Sequence, residues 1–252
     1  MKHWQYPIFF IITSAFFLLP KFAFGDSLPD RDSDGVPDYD EINIYFTDPD
    51  NPDTDNDGYN DWIELNNGYS PYSGNNVKLE DNDFDNDGLS DKLELDFKTN
   101  PAIIDSDGDG FTDGAEVKDG YDPTNPGDIK LEKKIYIDTK NQLLSYNLGD
   151  VRLGLFQVST GMAGMETQKG EFKVLEKHPR RWSYAAKLWM PYWMMFNWRG
   201  QGIHELPEWP NGHKEGLTSL GVPVSHGCVR LGVGAAEEVY NFGEIGTKVY
   251  VN

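Results

Sequence analysis

The chain of 252 residues carries 42 acidic against 22 basic side chains, a net charge of −20. That balance excludes a nucleic-acid binder of the ordinary cationic kind, whose phosphate contacts need Lys and Arg in excess. With 38% hydrophobic and 13% aromatic residues the chain can still bury a core, which excludes wholesale disorder. The charge is unevenly placed: residues 26–128 hold 30 acidic and 5 basic groups, whereas residues 129–252 hold 12 and 15. Segments so different predict two domains, 26–128 and 129–252, behind a leader of another character.

The leader is residues 1–25. Lys2 and His3 begin a short polar region, Pro7–Leu19 forms an apolar run, and Ala23-Phe24-Gly25 places small residues where a signal peptidase cuts. Export across the cytoplasmic membrane, to the periplasm or cell wall, is therefore expected. The alternative is an uncleaved membrane anchor, for which the run is short and is interrupted by Lys21. Cys228 is the single cysteine, so no intrachain disulfide can form. An unpaired thiol in an exported protein points to a chemical use; the plainer reading is a small buried hydrophobe.

Next comes an acidic pattern, D-x-D-x-D-G-x-x-D-x-x-E, that occurs four times. Its copies are Asp30, Asp32, Asp34, Asp38 and Glu41; Asp53, Asp55, Asp57, Asp61 and Glu64; Asp83, Asp85, Asp87, Asp91 and Glu94; and Asp105, Asp107, Asp109, Asp113 and Glu116. Alternate acids converge on one centre only if the chain curls, and the glycine after the third Asp permits the turn. Five carboxylates per loop repel one another without a cation, and hard oxygen ligands in this number suit structural Ca²⁺. The alternative is a solvated acidic linker. Paired EF-hands are not expected. Loop position 8, usually apolar there, is Pro37, Asn60, Ser90 and Thr112, and Pro52 stands where an entering helix would run.

The segment resembles bacterial thrombospondin type 3 repeats, including its Thr47-Asp48-Pro49 and Asn51-Pro52 punctuation. A larger duplication is also visible, since Gly68-Tyr69-Ser70-Pro71 follows Glu64 and Gly120-Tyr121-Asp122-Pro123 follows Glu116. Two double-loop units, about 30–71 and 83–126, are expected, joined through the Gly/Asn-rich stretch Asn66–Asn76. Little regular structure is expected in them. Their low apolar content requires metal in place of a core, giving a stiff spacer when loaded.

Beyond Lys130 the texture changes. Ile135-Tyr136-Ile137, Gln142–Asn147, Val151–Thr160, Glu171–Glu176 and Lys248–Val251 read as strands, the first two as a hairpin over Thr-Lys-Asn, and Ala235–Phe242 as a helix. The domain is predicted to be mostly β with one or two short helices.

Its chemistry is concentrated in Ser225-His226-Gly227-Cys228-Val229-Arg230, with His204 upstream in Gly202-Ile203-His204. A thiol nucleophile needs a base to form thiolate, and histidine is matched to that task near neutrality. These strings resemble the L,D-transpeptidase catalytic domain of the YkuD type. So do Val158-Ser159-Thr160-Gly161, Gly170-Glu171-Phe172, Met190-Pro191-Tyr192 and Gly246-Thr247-Lys248-Val249. The resemblance implies Cys228 as nucleophile and His204 as general base or acid. It also implies backbone N–H groups of His226, Gly227 and Cys228 around an oxyanion, Ser225 in the motif, and Arg230 on a substrate carboxylate or as a brace for the loop. Peptidoglycan stem peptides would be the substrate, an envelope protein is a possible acyl acceptor, and no cofactor is implied for catalysis.

Other readings remain open from the residues alone. His204, His226 and Cys228 could form a zinc site, although the spacing lacks a C-x-x-C or H-x-x-x-H format. Water as acceptor would make the enzyme an L,D-carboxypeptidase or amidase, and a non-catalytic wall-bound spacer or adhesin is the third possibility. The stretch from His204 to Ser225 is longer than the family's common form, and its His213 reads as a loop residue. Trp182, Trp189, Trp193, Trp198 and Trp209 cluster just ahead of the motif, as a lid or cleft wall would require.

Overall fold

The computed structural model describes residues 28–252; the segment read as a signal peptide lies outside the described residues. Among the described residues no helix is long and apolar enough to cross a membrane.

Each acidic loop runs into a helix. The first leads into a short turn, α1 (Asp38–Asp40), continued by a π-helical stretch Glu41–Tyr45. The others lead into α2 (Asp61–Asn67), α3 (Asp91–Phe97) and α4 (Asp113–Asp119). The polar residues at loop position 8 are the N-caps: Asn60 Oδ1 accepts from Ile63 N–H at 2.9 Å and Thr112 Oγ1 from Ala115 N–H at 3.2 Å. Gly68, Lys98 and Gly120 close these helices in the left-handed conformation. The repeats thus hold more helix than their composition suggested, although among the described residues no helix enters a loop. Nor is Asn66–Asn76 a free linker. Ser70 Oγ donates to Asp91 Oδ2 of the second unit at 2.6 Å, and buried Tyr72 packs against Phe84 at 6.0 Å.

The C-terminal domain is built on nine strands, ordered β4-β9-β1-β2-β3-β8-β7-β6-β5. They are β1 (Lys133–Asp138), β2 (Leu143–Leu148), β3 (Val151–Ser159), β4 (Gly170–Lys173), β5 (Glu176–Ser183), β6 (Leu188–Met195), β7 (Gly202–Glu205), β8 (Val229–Leu231) and β9 (Lys248–Val251). The predicted hairpin is the antiparallel β1–β2 pair. β1 pairs with β9 and β7 with β8 in parallel. α5 (Ala235–Phe242) buries Ala236 and Val239 against Ile135, Ile137, Leu144, Met194, Ile203 and Val249. Each large apolar side chain fully withdrawn from water contributes roughly 1.5–3 kcal/mol. The domain is β-rich with few short helices, as its alternating strands required.

The tryptophan cluster resolves into distinct roles. Trp182 and Trp189 meet edge to face across the β5–β6 hairpin at 5.0 Å, and Trp193 is a core residue, 2% exposed. Trp198 is 87% exposed, and the Trp209 ring lies 5.3 Å from that of His213, tilted against it, in the loop beyond β7. His213 is accordingly a loop residue.

Candidate active site and candidate metal loops

β7 and β8 run parallel with His204 opposite Arg230 and Ile203 opposite Val229. Cys228 immediately precedes β8. Because side chains alternate along a strand, His204 and Arg230 share a face, and one step back Gly202 and Cys228 share it too. The thiol accepts the backbone N–H of Gly202, which favours thiolate, as do the guanidinium charges of Arg230 and Arg181. Burial outweighs these and pushes the Cys228 thiol up. Gly202 has to be glycine: a Cβ there would stand 2.7 Å from the Trp193 ring and from the Met194 carbonyl.

His204 is 2% exposed and its ring lies 5.7 Å from that of Trp193. Its Nδ1 meets the carbonyl of Glu205 at 2.5 Å. A carbonyl only accepts, so Nδ1 carries the proton and Nε2 keeps its lone pair. Burial lowers the imidazole to about 4, with the Arg230 charge adding to the effect. Burial therefore favours the neutral form of both the thiol and the imidazole.

Hydrogen bonds shape the loop carrying Cys228. Ser225, fully buried, donates from Oγ to the Cys228 carbonyl at 2.5 Å and accepts from Gly227 N–H at 3.1 Å. That second bond engages the Gly227 N–H within the loop. Gly227 sits at φ +108°, and its carbonyl accepts from Thr167 Oγ1 at 3.0 Å. The His226 side chain is exposed. Arg230 Nη1 donates to both oxygens of Glu215 at 3.0 Å, so in this state it braces the long loop after β7. Lys214 pairs with buried Glu205 and Arg180 with Glu208 at 2.7 Å, pinning the same loop.

Sequence reasoning missed Gln201, Glu205 and Glu215. Gln201 accepts from Asn197 Nδ2 at 2.8 Å and from Gln168 N–H at 3.0 Å, and a Cβ on Gly227 would collide with its amide. Gln168 and Asn197 also line a cavity of about 630 Å³ with Phe172, Trp198, Arg199 and Lys248. These partners are far apart in the chain, and no local pattern marks them.

In the acidic loops the first three aspartates converge. Asp30, Asp32 and Asp34 offer oxygens within 4.8 Å of one another, as do Asp53, Asp55 and Asp57; Asp83, Asp85 and Asp87; and Asp105, Asp107 and Asp109. The closing glutamates complete the picture. Both carboxylate oxygens of Glu64 and Glu94, and one each of Glu41 and Glu116, are buried without a donor, as is one oxygen each of Asp32, Asp55, Asp85 and Asp107. Burial and neighbouring carboxylates push Glu64 to about 8 and Glu94 to about 9, and Glu41 and Glu116 to about 7. Buried acceptors without donors fit a bound cation of the Ca²⁺ kind.

The fourth aspartate of each loop behaves differently. Asp61 accepts from Thr54 N–H and Oγ1, Asp91 from Phe84 N–H, Ser70 and Asn82, Asp113 from Ser106 N–H and Oγ, and Asp38 from Arg31. Both oxygens of these four are engaged within the protein, so they hold the loops closed. Each cluster of converging oxygens is made by the first three aspartates of its loop, and the fourth lies outside it.

A buried histidine, its Nδ1 on a backbone carbonyl, and a thiol thus share one face of a parallel strand pair. Residues 132–251 match the family model of the L,D-transpeptidase catalytic domain, and residues 53–68, 83–102 and 105–126 match the bacterial TSP3 repeat. The C-terminal part of the chain is an L,D-transpeptidase catalytic domain preceded by bacterial TSP3 repeats. Among solved structures, the chain is similar to an L,D-transpeptidase from Mycobacterium smegmatis at 20% identity and a TM-score of 0.44, over 50% of this chain and 60% of that one. One from Stackebrandtia nassauensis shares 32% identity at a TM-score of 0.40, over 48% and 55%. L,D-transpeptidase 3 from Mycobacterium tuberculosis shares 21% at 0.43, over 49% and 62%. The matched segment spans less than two thirds of each of these solved chains. No curated protein matches the chain.

Proposed function

We propose that the protein is an exported L,D-transpeptidase of peptidoglycan, with a signal peptide over 1–25, calcium-binding repeats over 26–128 and a catalytic domain over 129–252. The observation that carries the reading is the Cys228/His204 pair on one face of β7 and β8, with imidazole Nε2 free to accept a proton. His204 takes the thiol proton as Sγ attacks the carbonyl of the donor stem's L,D bond. The C–N bond breaks, His204 returns the proton to the departing D-alanine amine, and a thioester remains. An acceptor amine then attacks the thioester, His204 takes its proton, and the restored thiol leaves a new amide cross-link.

Two features support a carboxylate-bearing substrate. Arg181 and Arg230 both bear on Cys228, so a donor stem's terminal carboxylate meets positive charge at the thiol. The cavity lined by Trp198, Arg199 and Lys248 shares Gln168 and Asn197 with the Gln201 network and suits an acceptor stem. The calcium is structural and takes no part in the bond changes.

The test is mass spectrometry of purified muropeptides incubated with the mature protein, with Cys228→Ala as control. Cross-linked products that vanish in the variant support the reading. Products trimmed by one residue and never cross-linked, even with acceptor amine in excess, would make the enzyme a carboxypeptidase instead.

A further inference from the structure

The second repeat unit does not stand off from the catalytic domain. On α3 and the loop before it, Leu89, Leu93 and Phe97 recur every four residues and so form one stripe. With Val117 of α4 this stripe packs around Leu148 of β2, which is fully buried, and against Val151 and Leu153 of β3. Leu153 and Phe242 belong equally to the main core, so the contact is continuous with the interior of the catalytic domain.

The junction also repeats one already used between the two units. After α2, Leu79 N–H donates to the Gly68 carbonyl at 3.1 Å and Lys78 lies over the Tyr69 ring at 3.5 Å. After α4, Leu131 N–H donates to the Gly120 carbonyl at 2.9 Å and Lys130 lies 5.1 Å over the Tyr121 ring. The catalytic domain therefore follows the second unit through the same turn by which the second unit follows the first.

Leu89 lies two residues after Asp87, Leu93 one before Glu94, and Val117 one after Glu116. One face of each element points carboxylates at the loop centre, and the adjoining face meets the catalytic domain. Resting on the reading of the loops as calcium sites, we propose that the second repeat unit is a calcium-formed clamp on β2 and β3 that completes the catalytic domain. Cation binding in the third and fourth loops holds α3 and α4 in place, and through the apolar stripe protects the strands they cover. The clamp leaves the bond-making residues alone and acts on the stability of the sheet that carries them.

Hydrogen exchange of the full chain, with millimolar calcium or with chelator, reads this without any assay of activity. Calcium should slow exchange in the loop peptides and also, by roughly tenfold or more, in peptides from 143–159. In Leu93→Glu the loops should still respond to calcium while 143–159 no longer does. Leu93→Ala should give a partial version of the same loss and serves if the glutamate variant fails to fold. Protection confined to the loops in the native sequence would overturn the clamp and leave the calcium sites standing. No response anywhere would overturn both.

Discussion

The two halves of the molecule bury their interiors equally deeply and with opposite chemistry. In the repeats the side chains with no exposure at all include Glu41, Asp61, Asp91, Glu94 and Asp113; in the catalytic domain they include Ile135, Ile137, Leu144, Val158 and Val229. Apolar burial stabilises without help, because water is displaced from surfaces that gain nothing from it. Buried carboxylates do the reverse until a cation neutralises them. The first half is built around carboxylates that a cation would neutralise, and the second around apolar side chains that need none.

The sharpest way to break that division is at the thiol. Cys228→Ala should lose all detectable transfer while its melting temperature, read by circular dichroism, stays near that of the native protein. Any substantial residual turnover would remove the nucleophile from the account. Next in size, His204→Ala should cut kcat by about 10²–10⁴-fold, the ordinary contribution of a positioned base. His213→Ala should leave kcat within about twofold, because the His213 ring packs against Trp209 in the outer loop.

A smaller effect concerns the resting charge of the site. Burial pushes His204 down to about 4 and the Cys228 thiol up, which disfavours a thiolate–imidazolium pair at rest. Alkylation of Cys228 by iodoacetamide should therefore climb by about tenfold per pH unit through neutrality and beyond. A rate already flat from pH 6 upward would show that the ion pair preforms.

The smallest effect falls on the repeats. In metal-free protein the buried glutamates have folded pKa values above their unfolded ones, so the folded state binds more protons. Stability is then greatest below about pH 4.5 and falls as pH rises toward 8 or 9, the values of Glu64 and Glu94. Calcium removes the slope by stabilising the charged form. Thermal melts with chelator should drop from pH 6 to pH 8, and melts with calcium should not.

Much of this was legible in the chain because the signals were local. The loop pattern repeats at fixed spacing, the strands of 133–159 alternate, and Ser225–Arg230 is contiguous. Even the polar residues at loop position 8 carried meaning, since Asn60 and Thr112 cap the helices that composition alone did not announce. What stayed hidden depends on partners far apart in sequence. The donors to the fourth aspartates, Thr54, Ser106 and Ser70, are visible only in the fold. Glu215 acquires its role only when β8 brings Arg230 beside it, and Gln201 only when the Cys228 loop folds over it. Val36 and Leu89 are buried while Tyr59 and Phe111, at the same loop position, are 48% and 60% exposed. The motif cannot distinguish them, because only packing decides which loop of each pair faces inward.

The most direct test of thiol chemistry in a metal-independent site is the intact mass of the full-length protein after mixing with a donor tetrapeptide stem, with calcium and again with chelator. The account predicts one acyl adduct under both conditions, mapped by digestion to the peptide carrying Cys228 and absent from Cys228→Ala. An adduct that forms only when Zn²⁺ is returned to chelated protein, or that maps to any other residue, would contradict it.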